Sequence, residues 1–270
     1  MSRLDSALAA LRDRGEGAFM PFLVIGDPSV GDTERLADAL VESGCDALEF
    51  GLAFSDPPAD GPVIQAADVR ALAGGVNVDD ALACIGRVSA RHPSVPLTML
   101  VYYNLVLQRG VERFYLDVAA AGVDAVLVAD LPLEAAEQAT HAARDSGVAP
   151  IFVVSELTTD ARLRRVAEVA EGYLYVVGKP GVTGERSELA STLGHTIARV
   201  RAASALPLLV GFGISEPAQV REVLDAGADG AICGSAIVRR IAASLDDMDA
   251  AVVAVGSFSQ AMKGATLRRE

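Results

Sequence analysis

The stretch ALEFGLAFSDPPADGP, residues 47–62, brings Glu49, Asp56 and Asp60 close together in the chain. Glu49 stands inside a short apolar run, where a carboxylate is costly to bury unless it has a partner. Such a group is either half of a structural ion pair or a group that moves protons. A carboxyl in apolar surroundings has a raised pKa and exchanges its proton near neutrality. A second one in a more polar loop stays ionised. Two acids with environments that differ in this way can cleave a bond without metal or cofactor. The competing reading is a pair of satisfied structural acids. Asp56, in SDPP, fits a turn residue that bonds its own backbone, and Asp130 fits a helix cap.

Three glycine-rich segments offer a second kind of chemistry: VVGKPGVTGE (176–185), LVGFGIS (209–215) and CGSAIVRR (233–240). Glycines let backbone N–H groups close on an anion, and a helix N-terminus adds a favourable dipole. Gly213, Gly234 and Ser235 are the expected phosphate donors, with Gly184 reaching in from above. The alternative is that these are turn glycines only. PGVTG also fits a lid in which Gly181 and Gly184 flex and Thr183 bonds a carboxylate on closing; a surface loop without function is the plainer reading. Lys179 could form a Schiff base with a carbonyl, but between Gly178 and Pro180 it fits a solvated loop lysine better.

Short runs rich in Val, Ile, Leu and Phe alternate with amphipathic segments of helical period, the pattern of βα units on a parallel sheet. The expected strands are FMPFLVIGD (19–27), ALEFG (47–51), PLTMLVYY (96–103), AVLVAD (125–130), PIFVVS (150–155), YLYVVG (173–178), PLLVGFG (207–213) and GAICGS (230–235). Eight such units predict a (β/α)8 barrel in one domain over 1–270, with an extra N-terminal helix and a short phosphate-binding helix after the eighth strand. A doubly wound sheet is the other architecture, but no GxGxxG turn follows the first strand. SGCDALEFG (43–51), AGVDAVLVAD (121–130) and AGADGAICGS (226–235) repeat a small residue, Gly-x-Asp and a strand. Gly44, Gly122 and Gly227 fit the left-handed position that ends a helix, and the Asp fits a turn into the next strand. Alternation places Glu49 on the same face as Ala47 and Gly51, towards the barrel axis, with Asp60 on the loop above.

The formal net charge of −13 and pI near 4.7 argue against a nucleic-acid partner. Of the 23 basic residues only Lys179 and Lys263 are lysines. Cys45, Cys84 and Cys233 are scattered, which fits a reducing cytoplasm, and His92, His141 and His195 have no zinc-ligand spacing. The N-terminal segment lacks the apolar core of a signal peptide, and no run fits a membrane span.

With these residues collected, the chain resembles the tryptophan synthase alpha subunit family over essentially its whole length. The most specific match is EFGLAFSDPPADGPVIQ, residues 49–65; PFLVIGDP (21–28), VYYN (101–104), LVADLP (127–132), GVTG (181–184), GFGIS (211–215) and GSAIV (234–238) match as well. The resemblance implies cofactor-free retro-aldol cleavage of indole-3-glycerol phosphate to indole and glyceraldehyde 3-phosphate. In that reaction Glu49 would transfer the protons, Asp60 would accept the indole N–H, Tyr175 would position the reacting groups, and Thr183 would draw the lid onto Asp60. By the same match Phe22, Ile64, Leu100, Leu127, Ala129 and Ile232 would wall the indole pocket, with Phe212 beside the phosphate loop. The family further implies a pyridoxal-phosphate beta subunit as partner, in a heterotetramer of two alpha and two beta chains, docking through the loop after the second strand and the region around Asn104 and Pro132. The chain departs from the family's usual pattern at Ala53 (proline is usual), Asp68 (asparagine is usual), Lys179 and Pro180. A stand-alone lyase, a Schiff-base aldolase using Lys179 and a non-enzymatic binding subunit are the alternative functions.

Overall fold

The computed structural model describes residues 2–178, 186–211 and 213–267, giving only the backbone path for 186–191. Helix α1 (Arg3–Asp13) precedes β1 (Ala18–Val24), α2 (Val30–Glu42), β2 (Leu48–Gly51), α3 (Pro62–Ala73), α4 (Val78–Arg91) and β3 (Leu97–Val101). Then come α5 (Tyr103–Arg109), α6 (Val111–Ala120), β4 (Ala125–Val128), α7 (Glu137–Asp145), β5 (Ala149–Ser155), α8 (Asp160–Val169) and β6 (Leu174–Val177). The chain closes with α9 (Arg186–Ala203), β7 (Leu208–Gly211), α10 (Pro217–Asp225), β8 (Gly230–Cys233), α11 (Ser235–Ala242) and α12 (Met248–Gly264). All strand pairings are parallel, and β8 returns to β1 to close an eight-stranded barrel. The expected (β/α)8 architecture is the observed one, including the extra helix at each end of the series.

Seven of the eight strands are shorter than their apolar runs, and β5 is one residue longer. Ile25 and Tyr102 belong to loops rather than to β1 and β3, yet both are buried. Residues just past a strand still pack under the βα loops, so hydrophobicity reports burial there rather than pairing.

Alternation divides the sheet between two cores. Leu48 and Phe50 point outwards into the layer between strands and helices, with Leu23, Leu97 and Met99. Ala18, Met20, Ala47, Ala125, Leu127, Ile151, Tyr173, Tyr175, Leu209 and Ile232 fill the barrel itself. Several of these are alanines, and the space they leave is taken by Leu4, Leu8 and Leu11 of α1, which belong to the same cluster. Their spacing puts all three on one helix face, and burying each contributes roughly 1.5–3 kcal/mol. A capping box between Ser2 and Asp5 starts this plug, and Arg3 ties it to Asp124 at 2.7 Å.

The Gly-x-Asp repeat has a structural meaning that differs in part from the expectation. Gly44, Gly122 and Gly227 do take φ of 88°, 84° and 98°. The aspartates, however, act sideways. Asp46 accepts the N–H of Phe19 at 2.8 Å, Asp124 that of Leu97 at 2.8 Å, and Asp229 that of Leu208 at 2.7 Å. Each ties the start of its own strand to the start of the preceding one, and each is paired with a cation: Lys263, Arg3 and Arg201 respectively.

Candidate active site

Glu49 occupies the middle of β2, paired in register with Phe22 of β1 and Thr98 of β3. The two-residue alternation of the strand turns it inwards with Ala47, and it is 1 % exposed. Its recorded partner is the Tyr173 hydroxyl, which donates to Oε1 at a long 3.4 Å. Among the described residues no cation lies within ion-pair distance of it. Burial therefore pushes its pKa up to about 8; the Tyr173 hydrogen bond opposes this and the Asp60 charge adds to it. The group is a carboxylic acid at neutral pH that gives up its proton only slightly above it.

Asp60 sits on the loop between β2 and α3. The Tyr102 hydroxyl donates to its Oδ2 at 2.7 Å and also accepts the Ala59 N–H at 3.3 Å. The Tyr102 ring stacks on Phe54, with centroids 5.2 Å apart and planes at 24°. One tyrosine at the end of β3 thus fixes both the loop's backbone and its acid. The sequence points to an Asp60 that stays ionised in a polar loop. Burial raises its pKa from the ordinary value, with the Tyr102 hydrogen bond opposing. Asp60 is half-buried, while Ser55, Asp56, Pro58 and Ala59 around it are exposed.

Tyr175 shares the barrel's inner face with these groups. Its phenol is held protonated by burial first, then by the nearby Glu49 and Asp60 charges. The ring occupies the volume that a side chain at residue 211 would need: a Cβ on Gly211 would lie 2.0 Å from the Tyr175 oxygen. In the same way a Cβ on Gly51 would lie 2.5 Å from the Phe22 ring. Two strand glycines are therefore there to seat two aromatic rings.

The expected apolar wall assembles in two parts. Leu127 and Ile232 lie in the inner barrel cluster with Tyr175, and Phe22 and Ile64 lie in a neighbouring cluster with Val24 and Val238. Leu100 packs against both. Ala129 follows β4, its N–H bonded to the Val101 carbonyl at 2.9 Å, and is partly exposed at the mouth. An apolar chamber with few polar groups, all on one side, is the usual form of a small-molecule site.

Beside Phe22, whose ring a Cβ on Gly234 would meet at 3.4 Å, Gly234 caps α11 and Ser235 begins it. The first N–H groups of a helix have no partner within the helix, so this end presents donors to an anion. Gly213 lies past the end of β7 with a φ of 75°, a left-handed conformation that suits glycine. Thr183 and Gly184 of the expected lid, Lys179, Pro180 and Phe212 lie outside the described residues.

One other expectation is corrected and one is borne out. The Asp56 carboxylate accepts from the Ser55 hydroxyl at 2.5 Å rather than from its own backbone. Asp130 does cap a helix, but that of a neighbouring unit: it accepts the N–H of Tyr103, the first residue of α5, at 2.7 Å. Sequence reasoning passed over Tyr102 and Tyr173. Tyr173 was within reach of it, since it precedes Tyr175 by one full alternation of the strand.

This arrangement matches known proteins along its length. The family model described as tryptophan synthase alpha chain matches residues 8–267. The tryptophan synthase alpha chain of Shewanella amazonensis is 46 % identical over 266 residues, covering 98 % of this chain and all of the relative. That of Escherichia coli O127:H6 is 43 % identical over 268 residues, covering 99 % and 100 %. Among solved structures, tryptophan synthase subunit alpha from Legionella pneumophila superposes with a TM-score of 0.90 at 32 % identity, covering 98 % of each chain. A chain of Mycobacterium tuberculosis tryptophan synthase superposes at 0.87 with 31 % identity, covering 99 % and 100 %.

Proposed function

The chain belongs to the tryptophan synthase alpha chain family, and from that membership we propose that it cleaves indole-3-glycerol phosphate to indole and glyceraldehyde 3-phosphate in its barrel mouth. The observation that carries this reading is Glu49: a carboxyl 1 % exposed, without a cation among the described residues, and protonated up to about pH 8. Breaking the bond between indole and glycerol requires a proton on the indole carbon and the loss of one from the adjacent glycerol hydroxyl. A buried acid with a pKa near the working pH serves both transfers. The carbon–carbon bonding electrons remain with the protonated ring carbon, and the hydroxyl oxygen becomes the aldehyde carbonyl.

Protonation at carbon puts positive charge on the indole nitrogen. Asp60, oriented by Tyr102, accepts that N–H and stabilises the charge as it develops. Tyr175 positions the reacting groups, and Phe22, Ile64, Leu100, Leu127, Ala129 and Ile232 enclose the ring, with Phe212 towards the phosphate. Gly213, Gly234 and Ser235 hold the phosphate at the N-terminus of α11, with Gly184 and Thr183 closing over it. In this reading the chain is a lyase with no cofactor of its own. It works in the cytoplasm as one barrel domain and passes indole to a beta subunit that carries pyridoxal phosphate. Among the described residues no helix is long and apolar enough to cross a membrane.

The test is indole release from indole-3-glycerol phosphate by the purified chain, with and without a beta subunit, with Glu49→Gln as control. Slow release that the partner accelerates and the variant abolishes is the expected result. Rapid release indifferent to the partner would mean a stand-alone lyase, and no release in either condition would overturn the substrate.

A further inference from the structure

Asp60 is held from two sides. The Tyr102 hydroxyl bonds its carboxyl at 2.7 Å. From the other side the Gln65 side chain, at the end of the first turn of α3, donates through Nε2 to the Asp60 backbone carbonyl at 2.7 Å. Gly61 caps α3 without a side chain of its own, so Gln65 reaches back past the start of the helix to the residue that carries the acid. The Gln65 backbone N–H bonds the Gly61 carbonyl at 3.0 Å. The helix thus places Gln65, and Gln65 places the Asp60 peptide.

The helix in turn is tied to the barrel rim. Arg70 of α3 forks onto Asp27, in the turn after β1, with its Nε and one terminal nitrogen 2.7 and 2.8 Å from the two carboxylate oxygens. The Asp27 side chain is fully buried and that of Arg70 is 25 % exposed. That turn is itself braced: the Gly26 N–H bonds the Thr33 hydroxyl of α2 at 3.0 Å, and the Asp27 N–H bonds the Val24 carbonyl at 3.3 Å. Elsewhere α3 shares a buried cluster with β1, through Ile64, Ala67 and Ala71 beside Phe22 and Val24. Apolar contact is non-directional, whereas a forked guanidinium–carboxylate pair fixes distance and angle together. Gln65 and Arg70 lie about 7.5 Å apart along the helix axis, so a shift of α3 at one is felt at the other.

We propose that Arg70 and Gln65 are positioning residues: Arg70, forked onto Asp27, sets the placement of α3 against the end of β1, and Gln65 passes that placement to the backbone of Asp60. This rests on the reading of Asp60 as the acceptor of the indole N–H. With Tyr102 alone the acid would swing about a single hydrogen bond. The second hold, on the backbone carbonyl, removes that freedom before substrate arrives, which is where orientation lowers a barrier. An ammonium at residue 70 would carry the charge of the guanidinium but not its fork.

Three variants separate the parts. Gln65→Met keeps the length of the side chain without the donor, Arg70→Lys keeps the charge without the fork, and the third combines them. Amide hydrogen exchange of Ala59 and Asp60 reads the loop without substrate, since their N–H groups bond the Tyr102 hydroxyl at 3.3 Å and the Pro57 carbonyl at 3.4 Å. Each single variant should speed that exchange by roughly two- to tenfold, the worth of one hydrogen bond, while residues 48–51 stay as protected as in the parent chain. With the beta subunit present, kcat for indole release should fall by a similar factor and KM should change little. The combined variant should lose no more than the larger single loss, because the two contacts act in series. Unaltered exchange in Gln65→Met, or losses that multiply in the combined variant, would overturn the proposal. Gln65 is exposed, so its variant decides the matter even if Arg70→Lys does not fold. Faster exchange with an unchanged kcat would uphold the positioning and overturn the role given to Asp60.

Discussion

Both ends of this barrel carry inward or near-inward carboxylates, and the two sets are treated in opposite ways. At the N-terminal end Asp46, Asp124 and Asp229 each accept a strand N–H and each face a lysine or arginine. At the C-terminal end Glu49 has a tyrosine hydroxyl at 3.4 Å, and Asp60 has another at 2.7 Å. Neither has a cation within ion-pair distance among the described residues. A carboxylate with an N–H and a cation is a strut, its charge satisfied by its partners. Glu49, buried with only a phenol at long range, keeps its proton to about pH 8 and can spend it, while burial raises the Asp60 pKa from its ordinary value. The difference separates the end that holds the barrel together from the end that does chemistry, in keeping with the division of labour usual in this fold.

The contrast can be broken at either end. Glu49→Gln should have the largest effect, lowering indole release by roughly 10²–10⁴-fold while leaving the barrel folded. A steady-state assay beside a far-ultraviolet circular dichroism spectrum checks both halves. The same residue governs the second effect. Its pKa is raised in the folded chain from 4.5 to about 8, so its contribution to stability is fully present below the unfolded value and is lost as pH rises through the folded one. At 1.36 kcal/mol per unit the loss is at most about 5 kcal/mol. Denaturant unfolding across that range should show the parent chain losing stability relative to Glu49→Gln as pH increases.

At the other end the expected currency is stability alone. Asp124→Ala removes the acceptor for the Leu97 N–H and the partner of Arg3. It should cost about 1.5–3 kcal/mol, seen as a lower urea midpoint with unchanged kcat for the molecules that remain folded. A matching loss of kcat would mean that the two ends are not separable. The smallest effect is expected from Tyr102→Phe, which leaves the stacking on Phe54 and deletes the hydroxyl on Asp60. A rate loss worth about 1 kcal/mol, with little change in stability, would place Tyr102 in the service of Asp60.

The architecture was legible because its signals are local. Eight apolar runs, their alternation, and a Gly-x-Asp repeat with glycines at positive φ all lie within a few residues of the structure they specify. Glu49 was legible for the same reason, since strand parity alone turns it inwards. What was not legible depends on contacts between distant segments. Tyr102 reaches Asp60 across 42 positions and Tyr173 reaches Glu49 across 124. Asp130 caps a helix that begins 27 positions earlier. Asp68 shows in the sequence only as an acid where the family usually has asparagine; that its Oδ2 lacks a partner among the described residues appears only once Arg70 is seen to be taken by Asp27. The burial of Asp60 was not legible because a loop rich in Pro and Asp reads as solvated; most of it is exposed, but the Asp60 carboxyl is half-buried beside Tyr102.

The most direct test of this account is the titration of Glu49 itself in the ligand-free chain. Carbon-13 NMR of protein labelled at the glutamate side-chain carboxyls, recorded against pH and assigned with Glu49→Gln, isolates the one signal. A carboxyl that titrates near pH 8 and disappears in the variant is the predicted result. If every glutamate signal titrates below about pH 5, in the ordinary carboxylate range, the mouth holds no poised acid, and the distinction drawn between the two ends of the barrel is wrong.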